Sequence, residues 1–286
     1  MKFVSYNIQF GIGLDGKYDP ECIAASLSGA DVIALQEITR GFYRNGHADL
    51  PSVFADLFPD SYVTYGPACD VHLDTETIDG RRRERRFQFG NMIISRWPIL
   101  SSRMLLLPRS RTIDKLNLQR GATEAVIETP LGPMRVYSVH LDHVSADERI
   151  AQIRYLKERA INFALEGGAL TGAGDFGLPQ PPLPSEFLIM GDYNMEPESP
   201  EYCEMAGRND GFYGRVARAT QPIDALARLD AHSPDAYTWM DPENHARRKH
   251  LDYCFLSCGL APRLKGGWID TTAKGSDHFP LWIELG

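Results

Sequence analysis

The 286-residue sequence contains no apolar run approaching membrane-spanning length. No secretory pattern precedes Met1-Lys-Phe-Val-Ser-Tyr6, which already reads as a strand, so a cytoplasmic location is expected. CxxC pairs and zinc-finger spacings are also missing. The five cysteines, Cys22, Cys69, Cys203, Cys254 and Cys258, are odd in number and predict free thiols in a reducing compartment. Positive charge is in deficit: 30 Lys and Arg face 38 Asp and Glu, a formal net charge of −8. That balance argues against extended, sequence-independent wrapping of a duplex, which needs many cationic contacts to phosphates. It leaves room for a local phosphate site. No low-complexity linker divides the chain, so residues 1–286 read as one domain near the upper size limit.

Present instead are short apolar runs that end in polar residues. Phe187-Leu-Ile-Met190 reads as a buried strand, and after Gly191 come Asp192 and Asn194, one residue apart. In extended chain those two side chains share a face. A polar turn would have the same composition, so the segment gains meaning only from partners elsewhere. Val32–Leu35 predicts a second buried strand with Glu37 just beyond it, and Phe3–Ile8 a strand containing Asn7. Met134–Leu141, returning from a turn at Pro130–Pro133, ends in His140-Leu-Asp142-His143. His250–Leu256 is strand-like with Asp252 among apolar residues, where an acid is costly unless paired. Ser276-Asp277-His278 precedes a last strand, Leu281–Leu285.

Helices are expected from Pro20, over His47–Leu57, after the capping-box sequence Ser145-Ala-Asp-Glu148, and after Ser199-Pro200. Tyr62–Tyr65 predicts a strand, and Gln119-Arg120-Gly-Ala opens another. Glu166–Pro184 reads as a long surface loop able to wall a cleft, and 207–235 as irregular with short helical pieces. Arg81-Arg-Arg-Glu-Arg-Arg86 predicts a mobile, solvated loop; the functional alternative is an arm reaching substrate phosphates.

The polar exceptions, Asn7, Glu37, His140, Asp192, Asn194, Asp252, Asp277 and His278, all fall at strand ends, which sheet packing can gather at one rim. Glu37 offers hard anionic oxygen suited to Mg²⁺ or Mn²⁺, with Asn7 and Asp277 as direct or water-mediated partners. Asp192 can position or deprotonate water, and Asn194 and the histidines can hold phosphate oxygens.

Taken in order, Asn7, Gln36-Glu37, Gly90-Asn91, Arg120-Gly121, His140, Gly191-Asp192-Tyr-Asn194, Leu251-Asp252-Tyr and Ser276-Asp277-His278 resemble the blocks of the endonuclease/exonuclease/phosphatase superfamily, whose fold is that of deoxyribonuclease I. The resemblance implies an α+β fold, a four-layer α/β/β/α sandwich of two mixed, mostly antiparallel sheets with helices outside. It implies metal-dependent hydrolysis of phosphoester bonds, nuclease-like, on a nucleic acid or small phosphodiester. Glu37 would be the principal ligand for Mg²⁺ or Mn²⁺, assisted by Asn7 and Asp277. Asp192 would activate water with Asn194 beside it, Asp252 would hold the tautomer of His278, and His140 would be the second imidazole. Arg120 would touch phosphate or scaffold, and Asn91 the substrate side.

A phosphomonoesterase or a lipid-headgroup phosphodiesterase would use the same core, and a non-catalytic phosphate-binding scaffold would retain it. In several nuclease relatives a carboxylate ahead of the Gly90 position supports the first histidine. Here only Glu84 stands in that region, and it has no assigned role; Asp142 and His143 can belong to the site or merely to helix packing. His140-Leu-Asp-His143 also matches half of the HxHxDH pattern of dinuclear zinc hydrolases, but residues 136–139, Val-Tyr-Ser-Val, lack the other half.

Overall fold

A computed structural model describes residues 1–231 and 236–286. Strand β1 (Lys2–Asn7), helix α1 (Pro20–Ser26), strand β2 (Val32–Arg40) and helix α2 (Leu50–Leu57) lead into a long hairpin of β3 (Tyr62–Ile78) and β4 (Arg81–Ser95). Next come β5 (Ile99–Leu106), β6 (Gly121–Thr129), β7 (Gly132–His140), α3 (Ala146–Ile161), α4 (Phe163–Glu166), β8 (Phe187–Asp192) and α5 (Pro200–Ala206). The remainder holds β9 (Ile223–Asp224), α6 (Ala225–Arg228), β10 (Trp239–Met240), β11 (Arg248–Lys249), β12 (Asp252–Leu256), β13 (Leu264–Ile269) and β14 (Leu281–Leu285). The segment expected to be irregular, 207–235, contains β9 and α6; its residues 232–235 lie outside the described residues.

Two six-stranded sheets form, in the orders β13-β14-β1-β2-β4-β3 and β5-β6-β7-β8-β12-β9. Both are mixed, since β1 runs parallel to β2 and β7 parallel to β8. Side chains alternate across each strand. Phe3, Val32, Ala34 and Ile93 of the first sheet therefore meet Ala125, Val136, Leu188, Met190 and Cys254 of the second in the central core. Val4, Ile33 and Leu35 turn outward onto Ile23 of α1 and Leu50 and Phe54 of α2. Tyr137, Val139 and Ile189 face Ile153 and Leu156 of α3 and Tyr202 of α5. Burial on both faces explains why Val32–Leu35 and Phe187–Met190 are continuous apolar runs. The expected four-layer sandwich is what forms.

Two helix starts are as the sequence predicts, with one change of partner. Ser199 accepts from the Tyr202 amide at 3.2 Å, with Pro200 opening α5. Ser145 accepts from the Glu148 amide at 3.3 Å, but the Glu148 carboxylate does not return to Ser145. It takes the Ser110 amide (2.6 Å) and hydroxyl (2.5 Å), while Asp142 takes the Ser145 amide (2.7 Å). Half of a capping box thus ties the 107–120 loop to α3.

The largest correction concerns Arg81–Arg86. These residues are the outer half of strand β4, paired with β3 to its end at Ile78. The turn is Asp79-Gly80, both at left-handed φ (52° and 76°), as a type I′ hairpin requires. Charges alternate across the ribbon: Arg85 bonds Asp74 at 2.8 Å, Arg86 bonds Asp70 at 2.7 Å, and His72 faces Glu84 at 2.9 Å. A run of like charge in sequence becomes a set of opposite-charge cross-strand pairs once a partner strand faces it. Glu84 is exposed on this ribbon. By contrast, Glu166–Pro184 has only one end of α4 and a single 3-10 turn, and its hydrogen bonds reach Arg103 and the loop itself rather than the site.

The strand spacing beside the site demands glycine. A Cβ at Gly191 would sit 1.9 Å from the Val139 carbonyl oxygen of the parallel neighbour. Gly191→Ala is expected to cost on the order of 1–3 kcal/mol, read as a lower urea midpoint. An unchanged midpoint would mean that β7 and β8 separate freely.

Candidate active site

The site lies where the strand ends of both sheets meet. β1 ends on Asn7, β7 on His140 and β8 on Asp192, and β12 begins on Asp252. Within the second sheet, His140 and Asp252 are the direct neighbours of Asp192 on either side. β2 does not stop at Leu35 as its apolar run implied. It continues to Arg40 through a bulge between Leu35 and Ile38, where Glu37 adopts φ 60°. A bulge re-aims a side chain, and this one turns the Glu37 carboxylate toward Asn7.

Asn7 joins the groups. Its Nδ2 lies 3.0 Å from Asp192 Oδ2, 3.3 Å from Glu37 Oε1 and 3.4 Å from His278 Nε2. The Gln9 amide donates to Asn7 Oδ1 at 3.0 Å, which fixes the amide orientation. His278 Nδ1 is 2.8 Å from Asp252 Oδ2, and its Nε2 is 3.7 Å from Asp192 Oδ2. His140 Nε2 lies 3.3 Å from Asp192 Oδ2 and 3.2 Å from Asn194 Nδ2. Asp277 accepts from the Trp239 indole at 2.9 Å. Ser276 donates to the Asn7 carbonyl at 2.7 Å and so fastens this segment to β1.

Burial and charge set the protonation states. Burial would strip the proton from His278, but Asp252 and Asp192 outweigh it and hold the imidazole charged well above its ordinary range. Burial drives His140 well below the ordinary value, and the Arg120 and His278 charges push the same way, so His140 is neutral at pH 7. Two imidazoles about one carboxylate therefore carry opposite protonation states. Burial, reinforced by Asp277, lifts the Glu37 carboxyl to about 7. Its Oε2 is buried with no hydrogen-bond partner among the described residues.

Arg120 immediately precedes β6 and is buried, with Nη2 2.8 Å from His143 Nδ1 and its guanidinium 5.3 Å from the Phe89 ring. Arginine only donates, so His143 accepts at Nδ1 and keeps its proton on Nε2. Arg120 Nε and Nη1 have no partner among the described residues. Asp142 instead caps the following turn through the Val144 and Ser145 amides.

Asn91, expected on the substrate side, donates through Nδ2 to the Gly121 and Ser138 carbonyls at 2.8 and 3.0 Å and braces the two sheets, while its Oδ1 has no partner among the described residues. Gln36 also braces them, through Ser138 at 3.0 Å. Sequence reasoning missed Trp239, Thr238, which accepts from the Asp252 amide at 2.9 Å, and Phe89, 5.8 Å from the His140 ring. None of the three stands in a polar block, and only the assembled fold brings them in.

Asp192, Asp252 and His278 each place a potential ligand atom within 4.8 Å of the others. Asp252 Oδ2 already pairs with His278 Nδ1, however, and the charged His278 repels a cation there, although Asp252 Oδ1 also lacks a partner among the described residues. The partnerless Oε2 of Glu37 is the better anchor for a hard cation, because a buried carboxylate without a donor needs an external charge.

The sequence profile of the Endonuclease/Exonuclease/phosphatase family matches residues 4–278. The chain belongs to that family. Membership makes it a phosphoric ester hydrolase in the broad sense, from a family generally dependent on divalent metal. Solved structures agree on the fold. An endonuclease/exonuclease/phosphatase from Beutenbergia cavernae superimposes with a TM-score of 0.67 at 18% identity, covering 100% of this chain and 72% of that one. A mannosyl-6-phosphatase from Bacteroides thetaiotaomicron gives 0.62 at 15%, covering 100% and 99%. A 3′ phosphatase from Neisseria, bound to a product DNA hairpin, gives 0.60 at 15%, also covering 100% and 99%. No helix among the described residues is long and apolar enough to cross a membrane.

Proposed function

We propose that this chain, acting as one domain, is a Mg²⁺- or Mn²⁺-dependent phosphodiesterase of nuclease-like type that cleaves by water attack. The observation that carries the reading is the arrangement around Asp192: one carboxylate oxygen faces a charged imidazole at 3.7 Å, a neutral one at 3.3 Å and the Asn7 amide at 3.0 Å. Glu37 would hold the cation, assisted by Asn7 and Asp277. A bound Mg²⁺ would neutralise charge on a phosphate oxygen. Asp192 orients water and takes its proton as the new O–P bond forms and the bond to the leaving oxygen breaks. His278, held charged and oriented by Asp252, donates from Nε2 to a phosphate oxygen. His140 and Asn194 face the same phosphate, and Arg120 supplies the N–H groups of Nε and Nη1.

The same core suits phosphomonoesters, and the two classes separate by assay. Release should be seen from phosphodiesters such as bis(p-nitrophenyl) phosphate and oligonucleotides, with p-nitrophenyl phosphate slower. Cleavage confined to monoesters would reject the diesterase assignment.

A pH effect follows from Glu37. In the metal-free protein its carboxyl keeps a proton up to about 7, whereas the unfolded chain loses it near 4.5. The group thus adds stability below 4.5 and loses that contribution as pH rises through about 7. Cation binding takes the ionised form, so Mg²⁺ should displace about one proton near pH 6 and almost none above pH 8. Calorimetry in buffers of different ionisation enthalpy reads the number directly. Proton release that is constant from pH 6 to 8.5 would remove Glu37 as the ligand.

A further inference from the structure

The inner face of β4 does not end with the sandwich. Ile93 lies in the central core, Asn91 braces the second sheet, and Phe89 touches His140 and Arg120. The register shifts in this ribbon insert their extra residues into β2 and β3, and β4 itself runs unbroken. By strand alternation, Phe87, Arg85, Arg83 and Arg81 continue the face of Phe89 out beyond the site. Aromatic rings thicken its base. Phe89 is 6.3 Å from Phe10, Phe10 is 4.5 Å from Phe42, and Phe42 is 5.7 Å from Phe87 and 5.1 Å from Tyr43. Phe10, Phe42 and Phe87 are half-buried and Tyr43 is exposed.

The backbone is strained to achieve this. Directly after Asn7, Gln9 and Phe10 both adopt left-handed φ (43° and 58°), and Asn45 holds the Phe10 carbonyl at 3.1 Å. A Cβ at Gly41 would lie 2.2 Å from the Arg86 carbonyl, so glycine is what lets the Phe42 loop close on β4. Strained non-glycine residues beside a reacting centre point to a role in binding. Farther out, Asp74 and Glu76 engage Arg85, while Arg83 and Arg81 make no ion pair with any of the described residues. A row of rings followed by free guanidinium groups is the pattern that holds unpaired bases and their phosphates.

We propose that the aromatic base and arginine-bearing arm of this hairpin form a track for a single-stranded polynucleotide, leading away from the scissile phosphate. This deepens the phosphodiesterase reading and rests on it for direction, but binding can be tested without turnover. Arg81 lies eight residues from Phe89, about 27 Å along the strand, which spans several nucleotides. Bases stack on Phe10, Phe42 and Phe87, and phosphates farther along meet Arg83 and Arg81.

Anisotropy of a fluorescein-labelled oligodeoxythymidine of about 12 nucleotides, in EDTA to prevent cleavage, tests the track. Phe42→Ala should weaken binding about tenfold. The exposed double substitution Arg81→Gln/Arg83→Gln should lower the slope of log K against log salt by about 1.4. Both variants should keep bis(p-nitrophenyl) phosphate turnover in Mg²⁺ within twofold of wild type. The proposal is overturned if the wild type does not bind, if both variants bind as the wild type does, if a duplex binds as tightly, or if turnover of the small ester falls in step with binding. Absent turnover in the wild type would instead count against the hydrolase reading and leave the binding result standing.

Discussion

Asp192→Asn is expected to lower kcat by on the order of 10²–10³ or more while the protein stays folded. The carboxylate faces both imidazoles and Asn7, groups contributed by both sheets. The substituted side chain can still accept from the Asn194 amide, which now bonds Asp192 Oδ1 at 2.9 Å, so the turn after β8 keeps its tie. What it loses is the capacity to take a proton, and it removes one of the three charges that keep His278 protonated. Single-turnover rates on a phosphodiester, with circular dichroism and urea midpoint as controls, give the answer. A rate within threefold of wild type would remove Asp192 from the mechanism.

Glu37→Gln is expected to act in two opposite directions. At pH 8 in EDTA the wild-type carboxylate is ionised against its preference, since burial and Asp277 lift it to about 7. Replacing it with a neutral amide should stabilise the metal-free protein by on the order of 2–3 kcal/mol. Adding Mg²⁺ should then raise the Tm of the wild type and leave the variant unmoved, while turnover falls by on the order of 10²–10³. A cavity or a misfolded site would lower stability in both conditions. A variant that loses Tm in EDTA, or that still gains it with Mg²⁺, would place the cation elsewhere.

Some of this was legible before any fold was known. Phe187–Met190 and Val32–Leu35 read as buried strands because two covered faces demand apolar residues at every position. Ser199-Pro200 announced α5 because capping is local chemistry. The Asp79-Gly80 turn was also there to be read, as a type I′ signal, but the arginines beside it drew the expectation to a loop. The Asn91 and Gln36 amides could not be assigned from sequence, because a carboxamide that braces two sheets and one that meets substrate look alike until their acceptors are known. The outlook for His143 was equally open, and it was decided by Arg120, which the pairing of β6 with β7 brings to the same end of that hairpin.

The sequence by itself determined the buried strands, the capped helix starts and the kinds of polar group that follow the apolar runs, because alternation, capping and turn chemistry act between neighbours in the chain; the four-layer sandwich was implied only by the family resemblance. Only the tertiary structure decided which of those groups meet. The bulge at Glu37, the flanking of Asp192 by His140 and Asp252, and the protonation of His278 each depend on strands far apart in sequence arriving within a few ångströms, where burial and charge act through space rather than along the backbone.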